Sequence, residues 1–598
     1  MPDTTYDQKW DLDVIFEGGS ESDAFHQYLQ EAQEKLQNLS HLVNEYTIPT
    51  EVSQAKDLRK VIDHVEGVEL RLRESFAFVG CLSAQDVTDK KALQHRAKIS
   101  EMAAGFSTVM TTLEQKLNKI DDSLWKELLA QPELKELSFV LNEKREKAKE
   151  KLSLEQESLI NDLSVDGYQG WDSMYSTIVG KMKITMEENG ETKELSVGQA
   201  SNKMGSSDRS VRKEMFHKLQ DAWEENEDLF GETLNHLAGF RVQTYKHRGW
   251  DNVLKEPMDI NRMSEKTLNA MWNAINKYKD HFVEYLNRKA TLLGLERLSW
   301  YDVGAPIVSS DQSVSYDEGA EFIVEQFEKF GPKMASFAKM AFENSWIEAE
   351  DRSGKRPGGF CTSFPDSKQT RIFMTYSGTA SNVSTLAHEL GHAFHQHVMD
   401  DVHSMNQGYA MNVAETASTF AEMIVADAAV KHASNEEERL SLLEDKIQRS
   451  VAFFMNIHSR FLFEKRFYEE RKQGLVPVDR LNTIMVEAQK EAFLDSLDEY
   501  EPHFWASKLH FHKVGVPFYN FPYTFGYLFS QGIYAKALEE GSDVEENYIA
   551  LLQDTGRMKV EDLAKKHLDI DLEQPDFWES AVKLCVKDVD EFLQMTAE

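Results

Sequence analysis

The chain has 598 residues, of which 41% are hydrophobic and 11% aromatic, a composition typical of a globular protein with one large body or several domains. Its formal net charge of −35 at pH 7 lacks the cationic excess that nucleic-acid binding requires, so we expect no nucleic-acid partner. No stretch approaches the roughly 20 consecutive apolar residues of a membrane-spanning helix, so no membrane partner is expected.

The cellular compartment is indicated by the N-terminal residues and the cysteines. Residues 1–7 have neither the basic nor the apolar region of a secretory signal. The three cysteines, Cys81, Cys361 and Cys585, are far apart and show no metal-binding spacing. Because an odd and sparse set of cysteines suits a reducing compartment, we predict a cytoplasmic protein. The sequence leaves the oligomeric state open.

Most of the chain has the apolar periodicity of α-helices. The first clear example places apolar residues three and four positions apart, at Phe25, Leu29, Ala32, Leu36, Leu39 and Val43. This spacing lines one face of a helix, and similar segments fill residues 51–135 and about 201–345. The patterns predict a mainly α fold.

Residues 181–198 depart from this helical pattern. Apolar residues alternate with polar ones up to Met186, and they alternate again at Leu195 and Val197. Alternation on both sides of the intervening Asn189-Gly190 predicts a β-hairpin. We therefore divide the chain into an N-terminal helical domain, residues 1–200, which ends in this hairpin, and a second domain, residues 201–598.

A second departure precedes the most informative motif. Residues 356–361 are rich in turn formers, and residues 371–376 are β-prone. They predict one or two strands beside the helix that follows. An exposed strand edge commonly pairs with an extended peptide, although a purely structural hairpin is an equal alternative.

The helix that follows contains the motif His388-Glu389-Leu390-Gly391-His392. Residues four apart lie on one helix face, so both histidines can direct a ring nitrogen at a single metal ion. Glu389 is one step round the helix, where it can act as a general base without being a ligand. The alternative is a core helix with two hydrogen-bonded histidines.

A catalytic zinc site also needs a third protein ligand and an open position. The acidic residues within reach after the motif are Asp400, Asp401, Glu415, Glu422 and Asp427. Glu415, which opens a helical stretch of small and apolar residues, is the best candidate. Glu422 lies two turns further along the same face, where it can accept a hydrogen bond from a ligand histidine.

The neighbouring histidines are not expected to bind the metal. The extended motif with a third histidine requires glycine at position 395 and histidine at position 398, whereas this chain has His395 and Val398. His395 continues the face of the motif, but it is too far along the helix to close a tetrahedral site. We predict that His395 and His397 are not ligands.

A further cluster of candidate residues lies near the C-terminus, between positions 510 and 527. It contains His510, His512, Tyr519, Tyr523 and Tyr527 among glycines and prolines that indicate irregular backbone. Beside a metal, tyrosine hydroxyls and a histidine can stabilise the oxyanion of a tetrahedral intermediate. Core packing is the alternative for so many aromatic residues.

Together these motifs resemble the thimet oligopeptidase and oligoendopeptidase F family of zinc metallopeptidases. The resemblance rests on residues 388–395, residues 415–418 and the segment that ends in Gly526-Tyr527. Residues 10–12 and the turn at residues 357–360 resemble oligoendopeptidase F in particular. The resemblance implies a mainly α, two-lobed helical body that encloses a deep substrate channel, with a small β-sheet or hairpin beside the motif helix.

The resemblance also implies an activity, that of a zinc metallo-endopeptidase. Such an enzyme hydrolyses internal bonds of short, unstructured peptides through attack of zinc-bound water assisted by Glu389. One zinc ion would be bound by His388, His392 and Glu415.

The family pattern further implies groups that stabilise the transition state. Tyr527 matches the family's tyrosine of this kind, and His510 fits the histidine better than His512 does. Tyr519 and Tyr523 are further candidates. Because this segment is longer than its thimet counterpart, the family pattern does not assign a role to each of its aromatic residues.

Two other classes of function remain open. A zinc hydrolase could act on substrates other than peptides, although the β-prone strand favours an extended peptide. A catalytically inactive peptide-binding protein would have no need of Glu389, so the intact motif favours an enzyme.

Overall fold

The computed structural model describes residues 5–188, 190–308, 313–356, 358–540 and 544–597. Within these residues the fold is mainly helical with two small sheets, which confirms the predicted mainly α fold. Within the described residues, no helix combines the length and the apolar character that crossing a bilayer requires.

The chain divides into two compact units, each built from three segments. The first comprises Met1–Glu150, Gln312–Ala428 and Ala537–Asp569, and the second comprises Lys151–Asp311, Ala429–Lys536 and Ile570–Glu598. The two units are defined by how the segments pack, and each is discontinuous in sequence. They do not test the predicted domain boundary at residue 200, which stays a prediction.

A helix that crosses a unit boundary is grouped with the unit in which it begins. The α-helices of the first unit are Asp23–Glu45, Ala55–Gln85, Lys90–Asn118, Asp122–Leu129, Ser138–Lys149, Tyr316–Phe330, Pro332–Glu343, Ala380–Val398, Met411–Lys431, Val544–Asp554 and Val560–Leu568. Its short 3₁₀ helices are Gly19–Glu21, Val52–Gln54, Lys135–Leu137 and Ser404–Asn406.

The second unit is also dominated by helices. Its α-helices are Leu154–Ser164, Gly170–Lys181, Val197–Lys203, Arg209–Glu225, Glu227–Arg248, Lys255–Ile260, Glu265–Leu292, Glu436–Val451, Ile457–Arg471, Val478–Ala492, Phe504–Ser507, Phe521–Glu540 and Pro575–Met595. Two π-helical turns, Val165–Gln169 and Ala452–Asn456, and two 3₁₀ helices, Trp300–Asp302 and Leu509–His512, complete it.

The first predicted helix is present as Asp23–Glu45. The side chain of Ser22 accepts a hydrogen bond from the backbone N–H of Phe25 and so caps its first turn. All six apolar residues of the predicted face are buried in the core of the first unit. The spacing of three and four residues therefore placed this helix correctly.

The predicted hairpin is present in the second unit. Strands Ile184–Glu188 and Glu191–Leu195 are antiparallel, and Glu188 pairs with Glu191 across the turn. Gly190 has a φ of 81°, which a glycine adopts readily, while Asn189 lies outside the described residues. The second strand ends before the predicted alternation does, because Ser196 caps the helix that begins at Val197.

A three-stranded sheet lies beside the motif helix in the first unit. Its central strand, Gln369–Phe373, pairs in parallel with Ile347–Glu348 and antiparallel with Phe360–Phe364. The strand Phe360–Phe364 is called the edge strand below. The helix Ala380–Val398, called the motif helix, packs against the two longer strands. The predicted strands beside this helix are therefore present, and Pro357 of the predicted turn lies outside the described residues.

The N-terminal Trp-Asp-Leu segment holds this sheet in place. Trp10 is buried, and its ring packs against the rings of Phe360 and Phe373 with centroids 6.4 and 5.6 Å apart. The backbone oxygen of Asp11 accepts hydrogen bonds from the buried guanidinium of Arg371 on the central strand. A segment far away in sequence thus completes the layer on which the motif helix rests.

The motif helix also makes a close contact with the helix Met411–Lys431, called the Glu415 helix. At Gly391 there is no room for a side chain, since a β-carbon there would lie 2.6 Å from Cα of Ser418 and would also meet the backbone oxygen of Ala417. Only glycine permits this approach of two helix backbones. The contact sets the distance from the motif histidines to Glu415.

We predict that Gly391→Ala lowers the stability of the protein. The added methyl group must push the two helices apart, which costs about 1–3 kcal/mol in a well-packed core. The control is Gly67→Ala in the helix Ala55–Gln85, where nothing lies within 4 Å of the added carbon. That variant should be more stable by about 0.5–1 kcal/mol, because alanine favours helix. Thermal unfolding monitored by circular dichroism measures the stability of both variants. Equal melting temperatures for Gly391→Ala and wild type would contradict the close contact at Gly391.

Candidate metal centre

The motif helix is held in a defined rotation by its ends and its buried face. Thr379 and Asn382 form a reciprocal capping box at its start. Leu386 and Leu390 are fully buried against the first unit's interior. His388 and His392 consequently lie on a partly open face, with 27% and 21% of their side-chain surfaces exposed.

The structure brings the three predicted metal ligands together. Nε2 of His388 lies 3.3 Å and Nε2 of His392 lies 3.5 Å from Oε2 of Glu415. All three donor atoms lie within 4.8 Å of one another. Two imidazole nitrogens and one carboxylate oxygen are donors that zinc accepts in catalytic sites, so this set fits the metal that the sequence predicts. The role of these residues as ligands stays a prediction.

Two further side chains orient the donors. Nδ1 of His388 donates a hydrogen bond to Oε2 of Glu422 over 3.1 Å, the contact predicted for this acid. The hydroxyl of Ser418 donates to Oε2 of Glu415 over 2.9 Å. Ser418 was not predicted from the sequence, although its position one helical turn after Glu415 was a usable signal.

The charges in this cluster stabilise one another. Burial favours the neutral form of His388, but its hydrogen bonds to Glu415 and Glu422 outweigh this effect and raise the pKa of His388 to about 10. Burial likewise opposes ionisation of Glu415, yet the two histidines hold the pKa of its carboxyl well below the usual range. The site therefore favours positive charge between the two carboxylates.

Glu389 has a different environment from the other acids of the site. Its side chain is buried, with 8% of the residue exposed, and Oε2 has no hydrogen-bond partner among the described residues. Burial raises the pKa of Glu389, although the nearby histidines oppose this shift. An unpaired oxygen on a buried carboxyl group is an available proton acceptor.

The C-terminal candidates lie in the second unit, where three of them form a partly exposed row of rings. The ring centroids of His510 and Tyr519 are 5.0 Å apart, and those of Tyr519 and Tyr523 are 6.2 Å apart. Nδ1 of His510 is buried and has no hydrogen-bond partner in the described part of the chain. Burial lowers the pKa of His510 to about 4, helped by three nearby cations: Arg460, Lys508 and Lys513. The ring is therefore neutral at pH 7.

Tyr527 and His512 are placed differently, in the interior of the second unit. Only 6% of Tyr527 is exposed, and its hydroxyl contacts Oγ of Ser450 at 2.9 Å and Sγ of Cys585 at 3.5 Å. His512 is fully buried, and its Nε2 donates to the backbone oxygen of Trp505. The burial of His512 agrees with the preference for His510. The burial of Tyr527 counts against its predicted contact with a transition state.

The other histidines of the motif helix have structural partners. His395 is fully buried, and its Nε2 hydrogen bonds to Thr555 at 2.9 Å while its ring stacks on Tyr409. Nδ1 of His397 lies 3.2 Å from Asp400. Both therefore have partners other than the three candidate ligands, and their absence from the metal site stays a prediction.

A second cluster has the residue types of a metal site, but its donor atoms are engaged in other interactions. Asp63, Glu66 and His403 present donor atoms within 4.8 Å of one another. However, Nδ1 of His403 accepts a hydrogen bond from the backbone N–H of Met405, so the neutral ring carries its proton on Nε2, the atom that faces Glu66. Asp63 is also paired with Arg59. We assign no metal to this cluster.

Comparison with known proteins places this geometry in context. The sequence model described as Peptidase family M3 matches residues 202–584, and the one described as Oligopeptidase F matches residues 116–184. An oligoendopeptidase F homolog of Lactococcus lactis is 22% identical over 96% of this chain and 95% of its own. Oligopeptidase PepF of Bacillus subtilis is 24% identical over 98% of this chain and 87% of its own.

The fold is shared with a solved structure. Oligoendopeptidase-F from Enterococcus faecium superposes with a TM-score of 0.67 at 20% identity, covering 96% of this chain and 98% of that one. The M3 match contains the motif helix, the Glu415 helix and the C-terminal candidates between residues 510 and 527, and it spans more than half of the chain. This protein therefore belongs to peptidase family M3 and is a metallopeptidase.

Proposed function

We propose that this protein is a zinc-dependent endopeptidase that cleaves short, unstructured peptides, with Glu389 as its general base. The observation that carries the proposal is the cluster of His388, His392 and Glu415 beside a buried Glu389 with an unpaired oxygen. The names of the relatives, oligoendopeptidase F and oligopeptidase PepF, support oligopeptides as the substrate class.

The proposed metal site uses three ligands of this chain. His388, His392 and Glu415 would hold one zinc ion, which when bound supplies a Lewis acid that lowers the pKa of water to ~7 and polarises a carbonyl group. Glu422 and Ser418 fix the orientation of the ligands, because each hydrogen bonds to one of them.

Glu389 carries the proton in this proposal. Its free oxygen takes a proton from the attacking water and then delivers it to the nitrogen of the departing amine. The burial that raises its pKa makes the carboxylate a stronger base than an exposed glutamate.

Hydrogen-bond donors among the C-terminal candidates would stabilise the oxyanion. We propose His510 together with Tyr519 and Tyr523, because their rings are partly exposed and Nδ1 of His510 has no partner among the described residues. A neutral imidazole at pH 7 can donate through its single N–H. Tyr527, the residue predicted from the family pattern, would reach a substrate only if the packing around its hydroxyl opened.

The edge strand is the proposed binding site for the peptide backbone. No other described strand pairs with its outer edge, so outward-facing amides and carbonyls are available there. It begins beside Glu389, since a β-carbon at Gly359 would lie 3.6 Å from Oε1 of that residue. A peptide paired with this strand therefore passes the proposed base.

Three other predictions belong to this proposal. A deep channel would restrict the enzyme to short peptides, and the protein would act in the cytoplasm without nucleic-acid or membrane partners. The three cysteines, all present as free thiols, support a reducing compartment.

The decisive experiment is mass spectrometry of products from a mixture of short peptides and one unfolded large protein, with and without a zinc chelator. Internal cuts in the short peptides alone, abolished by the chelator and restored by zinc, are the expected result. Cuts in the large protein as well would refute the size restriction. If no peptide is cut while zinc is bound, the protein is a binding protein or acts on another substrate.

We predict that Glu389→Gln keeps its metal but loses turnover. The amide has almost the same shape but cannot take a proton, and loss of a general base typically costs ~10²–10⁴ in rate. Metal content is measured by atomic emission and kcat on a fluorogenic peptide. A variant that retains most of its kcat would refute Glu389 as the base.

We also predict that the tyrosines differ in their effects. Tyr519→Phe or Tyr523→Phe should lower kcat by ~10²–10³, the usual loss for one oxyanion donor. Tyr527→Phe should mainly lower stability, by about 1 kcal/mol, because it removes the interior contacts of the hydroxyl. Measurements of kcat and of the melting temperature for all three variants distinguish a catalytic from a structural tyrosine. A large loss of kcat in Tyr527→Phe with an unchanged melting temperature would instead support the role predicted from the family pattern.

Metal affinity should depend on pH. Because the pKa of His388 is raised to about 10 in the metal-free cluster, the ring must lose a proton before it can bind the metal. We therefore expect affinity for zinc to rise by about tenfold per pH unit between pH 6 and 9. Competition with a chromophoric chelator measures this profile.

The matched variants are Glu422→Gln and Asp400→Asn. Glu422→Gln removes one carboxylate that raises the pKa of His388, so its profile should flatten at a lower pH. Asp400 contacts His397 and not the donor cluster, so Asp400→Asn should follow the wild type. A wild-type affinity that does not change with pH would contradict the protonation of His388.

A further inference from the structure

A groove beside the edge strand contains two arginines without acidic partners. The groove is a cavity of about 350 Å³ in the first unit. One wall is the helix Ala55–Gln85, which contributes Arg73, Phe76, Ala77 and Gly80, and the other is Arg356 with the first residues of the edge strand. It therefore runs along the strand on which we propose that the peptide backbone binds.

The two guanidinium groups are held in place by uncharged groups. Arg73 donates a hydrogen bond to Oε1 of Gln407 over 2.9 Å, and the amide nitrogen of Gln407 in turn donates to the backbone oxygen of Val402. The guanidinium of Arg356 lies over the ring of Phe360 at 5.0 Å. Among the described residues, no carboxylate lies within ion-pair distance of either arginine.

Arginines without acidic partners are unexpected in a chain with so many acidic residues. The protein has 102 acidic and 67 basic residues, so partners for arginines are plentiful on its surface. Two arginines that share one groove and both lack such a partner leave a local positive charge there. At physiological salt the Debye length is about 8 Å, so this local charge, not the net charge of −35, acts on a group inside the groove.

We infer that Arg73 and Arg356 form a subsite for a carboxylate of the bound peptide. Guanidinium groups recognise carboxylates through charge-assisted hydrogen bonds, often two at once. The carboxylate could belong to an acidic side chain or to the C-terminus of the peptide, and the chemistry is the same for both. This inference rests on the proposed peptidase function and adds a preference among peptides to it.

The position of the groove relates the subsite to the cleaved bond. Phe360 lines the groove, and its neighbour Gly359 lies against Oε1 of Glu389. A carboxylate in the groove would therefore be on the part of the peptide that pairs with the edge strand, a few residues from the proposed base. The preference should depend on the distance between the acidic residue and the cleaved bond.

The test is a set of peptides that differ only in one group. A neutral reference peptide receives a glutamate in place of glutamine at each position in turn, and each peptide is made with a free and with an amidated C-terminus. We expect kcat/KM to be about tenfold higher for a carboxylate at one position than for its neutral counterpart, the size of one charge-assisted hydrogen bond. A preference that follows the glutamate identifies a side-chain subsite, and one that is lost on amidation identifies the C-terminus.

Arginine variants connect the preference to the groove. Arg73→Gln and Arg356→Gln should remove it, whereas Arg73→Lys, which keeps the charge, should retain part of it. The control is Arg96→Gln, an exposed arginine of the helix Lys90–Asn118 that does not line the groove, and it should behave as wild type. Melting temperatures show that each variant is folded.

The outcomes separate this inference from the proposed function. Cleavage without any carboxylate preference, or a preference unchanged in both glutamine variants, overturns the subsite and leaves the peptidase proposal intact. If no peptide is cleaved, the peptidase proposal fails, and fluorescence anisotropy with labelled glutamate and glutamine peptides decides the subsite. Tighter binding of the glutamate peptide that is lost in Arg73→Gln supports it, and equal binding overturns it.

Discussion

The candidate metal centre depends on one close contact between two helix backbones. Gly391 lies against the backbone of Ala417 and Ser418, where any side chain would collide. Because the motif helix and the Glu415 helix meet there, the carboxylate of Glu415 reaches both motif histidines. If the helices lay further apart, the two histidines would be the only donors, whereas a catalytic zinc site needs three.

That contact places charged groups inside the protein, and the way they are paired distinguishes their roles. His388, Glu415 and Glu422 are joined by hydrogen bonds and stabilise one another's charge. Glu389 instead keeps a buried carboxylate oxygen without a partner among the described residues. Unpaired buried groups are costly in folded proteins, so they are expected where a substrate or a reacting group completes the pairing.

The sheet beside the motif helix is held by the N-terminal segment and has an edge that no described strand pairs with. Ring packing of Trp10 on Phe373 and hydrogen bonds from Arg371 to Asp11 join it to the N-terminal segment. Its edge strand, Phe360–Phe364, lines a groove with Arg73 and Arg356. A rigid strand with one free edge is suited to bind an extended chain in a defined register.

Local patterns in the sequence determined the elements and the pairing of the first two candidate ligands. The helix of residues 23–45, the hairpin and the pairing of His388 with His392 follow from periods of 3.6 and 2 residues, which depend only on neighbours along the chain. Burial and distant contacts depend on packing, which spacing does not encode. The motif around Tyr527 therefore predicts a catalytic role, but not the contacts of its hydroxyl with Ser450 and Cys585, which the tertiary structure decides. Likewise, only the tertiary structure could bring Arg73 and Arg356 to one groove, because residues so far apart in sequence share no local pattern.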